Sequence, residues 1–146
     1  MISQFEESGN LPKGVHKASL NEIRSVFGEG SARRKWLIGN LEKIINLAES
    51  TGHLERVIIW GSFVSRKEVP RDVDLLLIMD EDFSIDHITP EARLVFNYVQ
   101  AKIAFSADIF WTKISIGEAA KDLWLETYQM TRDFMPRGIV EVILND

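Results

Sequence analysis

Cysteine is absent from this sequence, which removes disulfides, thiolate nucleophiles and cysteine-bound zinc together. Histidine is nearly so: His16, His53 and His87 are scattered, and none has a second ligand at helical or strand spacing, so each reads as a surface or structural residue. The atoms left for metal or acid–base chemistry are therefore oxygens. Long apolar runs are also missing. None approaches the roughly 20 residues that span a bilayer, and the opening MISQFEESGN carries acids where a signal peptide carries bases. A cytoplasmic protein with no membrane partner is expected. Positive charge is the minority sign, with 17 Lys and Arg against 22 Asp and Glu and a formal net charge of -5. A nucleic-acid coat needs a basic face, so nucleic acid is not the expected partner, although a local basic cluster could still hold a phosphate.

What is present suits one domain. The chain has 146 residues, enough for a sizeable core, and its 45% hydrophobic content excludes a disordered segment as the whole answer. Residues 1–31, with Gly9, Pro12, Gly14, Gly28 and Gly30, read as an irregular arm with one short helix opened by Ser19 and Glu22 as a capping box. Residues 32–146 read as a single domain. Leu37, Leu41, Ile44, Ile45 and Ala48 recur at helical spacing and predict a long amphipathic helix ending near Thr51-Gly52. RVIIW at 56–60 and LLLIM at 75–79 read as strands, the second apolar enough to be covered on both faces. Thr89-Pro90 predicts a helix with Leu94, Val95, Tyr98 and Val99 on one face. IAFSADIFW at 103–111 reads as a third strand. Ser115 and Glu118 predict a capping box before a helix with Ala120, Leu123, Trp124 and Tyr128 as its stripe, and residues 129–146 read as a hairpin. The expected class is α/β (α+β), a small mixed sheet with helices packed on it.

One stretch stands out against this frame: GSFVSRKEVPRDVDLLLIMD, residues 61–80. Side chains alternate along a strand, so Asp72 and Asp74 share one side while Val73 takes the other. Two carboxylates about 4 Å apart repel by roughly 4 kcal/mol at an effective dielectric near 20, so a compensating charge is expected. Mg²⁺ or Mn²⁺ fits, because hard cations take oxygen ligands and are held by one or two carboxylates together with substrate phosphates. Gly61-Ser62 supplies a phosphate seat: glycine permits close backbone approach and serine adds a donor. Arg66, Lys67 and Arg71 follow within reach. A Walker A loop is excluded, since the second Gly with its Lys-Ser/Thr is missing.

Gly61-Ser62 followed by Asp72-Val73-Asp74 at the head of an apolar strand resembles the signature of the DNA polymerase β-like nucleotidyltransferase superfamily. The resemblance implies a third carboxylate on a later, adjoining strand, and Asp108 in FSADIFW matches it. An aspartate in an apolar strand is costly unless paired, solvated or on metal. The flanks FEESGNLPKGVHKAS and RDFMPRGIVEVIL are similar to those of a bacterial family of short nucleotidyltransferase-like proteins, so the resemblance spans nearly the whole chain. It implies transfer of a nucleoside monophosphate from a nucleoside triphosphate, ATP first among the candidates, to a hydroxyl. Asp72, Asp74 and Asp108 would be the catalytic and metal-binding residues, and Gly61, Ser62, Arg66 and Lys67 the phosphate seat. Minimal nucleotidyltransferases often act as antitoxins, which implies a partner protein as acceptor, or an inert binding module working by contact.

Plainer readings stand beside these. Asp72 and Asp74 could be a turn residue and a cap, and Arg66 and Lys67 solvated loop charges. Trp60, Trp111 and Trp124 lie on apolar elements and read as core, although Trp60 beside Gly61 could line a site. Arg33-Arg34-Lys35 opens a helix, where positive charge opposes the dipole, and reads as a solvated face.

Overall fold

A computed structural model describes residues 2, 4–131 and 135–144. Five strands form one mixed sheet in the order β1-β5-β2-β3-β4, where β1 is Gly14–Ser19, β2 Leu54–Trp60, β3 Val73–Met79, β4 Ala107–Lys113 and β5 Gly138–Ile143. The β1–β5 and β3–β4 pairs are parallel, and β2 runs antiparallel to both its neighbours, β5 and β3. The helices are α1 (Leu20–Phe27), α2 (Ala32–Ser50), α3 (Pro90–Arg93), α4 (Tyr98–Phe105) and α5 (Glu118–Tyr128). The class is α/β, as the alternation of apolar runs predicts. No helix among the described residues is long and apolar enough to cross a membrane.

Strand periodicity divides the core in two. Val57, Ile59, Val73, Leu75, Leu77, Ile109 and Val140 face a large cluster with Phe27, Leu37, Leu41, Ile44, Ile45 and Phe63. Ile58, Trp60, Leu76, Ile78 and Ile139 face the opposite way, against Trp124, Leu125 and Tyr128 of α5. β3 is thus buried on both faces, which is why it reads as an unbroken apolar run. By strand alternation Asp74 shares the α5 side of β3 with Leu76 and Ile78.

Helix ends follow their chemistry. Ser19, Ser31, Thr89 and Asn97 each cap a helix by accepting the N–H three residues on. Asn97 corrects one expectation. The helix begun at Thr89 is not continuous, because Asn97 leaves helical geometry at φ -108 and ψ 109 and starts α4 afresh. A second correction follows: residues 103–105, expected in a strand, finish α4, and Ser106 at φ 50 turns the chain into β4. The buried Asn40 of α2 donates to the Phe105 carbonyl (3.0 Å), satisfying an acceptor that α4 itself leaves open.

Three further expectations are revised. The N-terminal arm is not irregular throughout, since β1 lies within it and is an edge of the sheet. Ser115 does not cap α5. Gly117, with φ 98, precedes that helix, and Glu118 accepts from Lys121 instead. Leu123, assigned to the buried stripe of α5, is 66% exposed, whereas Trp124 and Tyr128 do pack. Among the described residues the C-terminal hairpin reduces to one antiparallel bridge, Met130 to Pro136, before β5 inserts between β1 and β2; residues 132–134 and 145–146 of that expectation lie outside the described residues.

Candidate metal and phosphate site

The site is assembled where β2, β3 and β4 come together. Asp74 and Asp108 are register partners on the parallel pair β3–β4, and Trp60, the last residue of β2, pairs with Asp74 from the other side. Asp72 stands two residues before Asp74 and therefore on the same face. One carboxylate oxygen from each of Asp72, Asp74 and Asp108 lies within 4.8 Å of the others. Register sets Asp74 beside Asp108, and Asp72 joins them from the residue just before β3.

Their ionisation is unequal. Burial pushes Asp74 up to about 7, reinforced by its hydrogen bond with Asp108 and by the charge of Asp72. Burial, then Asp108, pushes Asp72 up as well. Burial acts in the same direction on Asp108, but hydrogen bonds from Lys102 and Tyr98 outweigh it and hold this carboxyl below its ordinary value. Lys102 Nζ lies 2.9 Å and the Tyr98 hydroxyl 2.8 Å from the same oxygen, Asp108 Oδ1. The arrangement is a carboxyl held low by its donors, Asp108, beside a neighbour, Asp74, pushed up to about 7. An all-oxygen donor set carrying such stored repulsion fits a hard divalent cation.

The chain leaves β2 through Gly61, whose φ of 86 favours glycine. A side chain there would also collide with Asp74 Oδ2. Both constraints explain glycine at this step, and the second puts the loop backbone directly against the carboxylates. A short turn, Ser62–Val64, follows. Beside it opens a cavity of about 510 Å³ lined by Gly61, Ser62, Ser65, Arg66, Lys67, Arg137 and residues Glu7 to Asn10 of the N-terminal arm. Three cations, Arg66, Lys67 and Arg137, against the one acid Glu7 give this cavity a positive lining in a chain with net charge -5. All four sequence-nominated phosphate residues thus line one space; Arg71, further along, acts instead on the charge of Asp72.

Sequence reasoning missed Arg137 and misread Arg34. Arg137 comes in from the segment before β5, anchored by its Nε donating to the Tyr128 carbonyl (2.7 Å), and the charge of Asp74 acts on it. Its signal, a lone basic residue in MPRG, is too weak to find. Arg34, assigned to a solvated cluster, is 5% exposed. Its guanidinium donates to the carbonyls of Phe27 (3.0 Å), Phe63 (2.7 Å), Ser65 (2.7 Å), Lys67 (2.5 Å) and, at 3.4 Å, Ser62. The physical reason is that a loop with inward carbonyls needs a fork of donors, which guanidinium supplies and ammonium does not. Turning those acceptors onto Arg34 leaves the cavity side of the loop to its hydroxyls and cations.

A family model matches residues 3–143, described as a family of unknown function, DUF6932. This chain belongs to DUF6932. No curated protein and no solved structure matches it, so no relative assigns a role to any of these residues.

Proposed function

We propose that this DUF6932 chain is a metal-dependent nucleotidyltransferase, moving a nucleoside monophosphate from a nucleoside triphosphate to a hydroxyl. The observation that carries the reading is the adjacency of the Asp72, Asp74 and Asp108 oxygens to a cationic cavity opened by Gly61-Ser62. Mg²⁺ or Mn²⁺ held by the three aspartates would supply charge neutralisation at the α-phosphorus and acidify the incoming hydroxyl. Ser62, Arg66, Lys67 and Arg137 bind the β- and γ-phosphates, which aligns the bond to be broken. The acceptor oxygen attacks the α-phosphorus, the bond to the bridging oxygen breaks, and pyrophosphate leaves into the cationic cavity. Asp108, the third carboxylate of the cluster, takes the acceptor's proton.

The test is calorimetric titration with each nucleoside triphosphate, with and without Mg²⁺ or Mn²⁺, followed by label transfer from α-labelled triphosphate in cell extract. Metal-dependent binding lost in Asp72→Asn and Asp74→Asn supports the reading; metal-independent indifference to every triphosphate removes it. A second reading, a module that works by contact with a partner protein, is favoured by Val99 and Ile103, exposed at 63% and 82% on the helix that carries Tyr98 and Lys102. The two readings meet if the acceptor is a protein hydroxyl.

A further inference from the structure

We propose that Tyr98 and Phe110 form a seat for a nucleobase beside the carboxylates, an inference that rests on the nucleotidyl-transfer reading. Phe110 follows Asp108 by two residues on β4 and so projects from the same face. Its ring packs 6.1 Å from that of Trp60, near-parallel at 25°, and 5.4 Å from that of Tyr98. Trp60 in turn stacks on Tyr128 at 3.6 Å and 7°. Tyr98, Phe110, Trp60 and Tyr128 are therefore a row of rings crossing β4, β3 and β2, alongside the row made by Asp108 and Asp74.

The two ends of that row differ. Trp60 is 6% exposed, whereas Phe110 and Tyr98 are 40% and 43% exposed. Single exposed apolar side chains are ordinary, but Phe110 is backed by the buried ring of Trp60 and Tyr98 is tied to the site: its hydroxyl donates to Asp108, and Lys102 lies 5.9 Å from its ring centre. Tilted 39° to each other, the two rings present exposed faces at the third carboxylate, and aromatic faces are what nucleobases stack on. Position supports the assignment. The phosphate cavity opens from the end of β2, Asp74 lies on β3 and Asp108 on β4, so a ligand with its terminal phosphates in the cavity and its reacting phosphorus at the aspartates continues toward β4. The base could belong to the triphosphate itself or to a nucleoside-bearing acceptor; both present the same face.

The experiment titrates the full chain with tripolyphosphate plus Mg²⁺, with ATP plus Mg²⁺, and with adenosine, alone and after loading with Mg²⁺-tripolyphosphate. If the seat takes the donor's base, ATP binds about tenfold more tightly than tripolyphosphate, and Phe110→Leu or Phe110→Ala erases the margin without changing tripolyphosphate binding. If it takes an acceptor's base, adenosine binds the loaded protein and the same substitutions abolish that binding. Phe110→Leu keeps an apolar side chain on the strand and guards against a folding defect, which unfolding curves monitor. The seat is overturned if ATP and tripolyphosphate bind alike and adenosine binds in neither condition, or if both Phe110 variants behave as wild type. Failure of the parent reading looks different: tripolyphosphate then shows no Mg²⁺-dependent binding, and adenosine binding to the unloaded protein, sensitive to Phe110→Leu or absent, decides the seat by itself.

Discussion

Asp74→Asn is the substitution for which the structure makes the sharpest demand, because the charge it removes is disfavoured in the folded protein. The wild-type carboxyl is raised from 3.8 to about 7, first by burial and then by its acidic neighbours. The folded state therefore holds this proton where the unfolded state has released it. Its contribution to stability is greatest below about pH 4, falls as pH rises toward about 7, and is flat above that. About three pKa units correspond to roughly 4 kcal/mol; solvent reaching this half-buried group reduces that to about 2–4 kcal/mol. Asparagine cannot ionise and its amide can still donate to Asp108. Asp74→Asn is thus expected to equal wild type near pH 4 and to exceed it by about 2–4 kcal/mol near pH 8 in EDTA, a gain on the order of 5–10 °C in unfolding temperature. Urea unfolding across that pH range, with metal removed, measures it directly. Saturating Mg²⁺ should close most of that gap near pH 8, since a ligand at a hundred times its dissociation constant adds about 2.7 kcal/mol to wild type alone. A mutant less stable than wild type by the same amount at every pH would refute the reasoning and make Asp74 an ordinary structural residue.

Arg34→Met leaves several inward carbonyls of the loop without donors and should cost about 3 kcal/mol or more; hydrogen exchange would rise over residues 62–67, and Arg34→Lys should recover only part of the loss because ammonium lacks the fork. Lys102→Met removes the cation on Asp108, so Mn²⁺ titrations at low salt should show binding tightened several-fold, an effect that fades as salt is added; unchanged affinity would mean that Lys102 does not compete for the site. Asn97→Ala removes a cap and should destabilise by about 1 kcal/mol, measured by denaturant unfolding, with no change in metal affinity.

How far the sequence carried depended on whether a residue's role was local. Asp72 and Asp74 were legible because strand alternation puts them on one face whatever the rest of the fold does. Asp108 was found although its strand was begun too early, at Ile103 rather than Ala107, since an aspartate inside an apolar run marks itself. β1 was missed because only Ala18 is fully buried in it, so an edge strand left little hydrophobic alternation to read. Arg34 looked like its neighbours Arg33 and Lys35; nothing in a basic triplet tells which member turns inward. Arg137 meets the charge of Asp74 across the intervening strand β2, and such long-range encounters are set by topology rather than by local pattern.

The position of β5 carries a consequence for how the protein is made. β5 lies between β1 and β2, so the first strand to be synthesised pairs with the last, and neither β1 nor the outer side of β2 has its neighbour until residues 138–143 have left the ribosome. The β2–β3–β4 portion, with the three aspartates, can pair beforehand. A nascent chain would thus hold the acidic site before it acquires Arg137, and the unpartnered β1 would be a strand edge open to other chains in that interval. A chain truncated just before Gly138 should present a protease-sensitive N-terminus on an otherwise protected core.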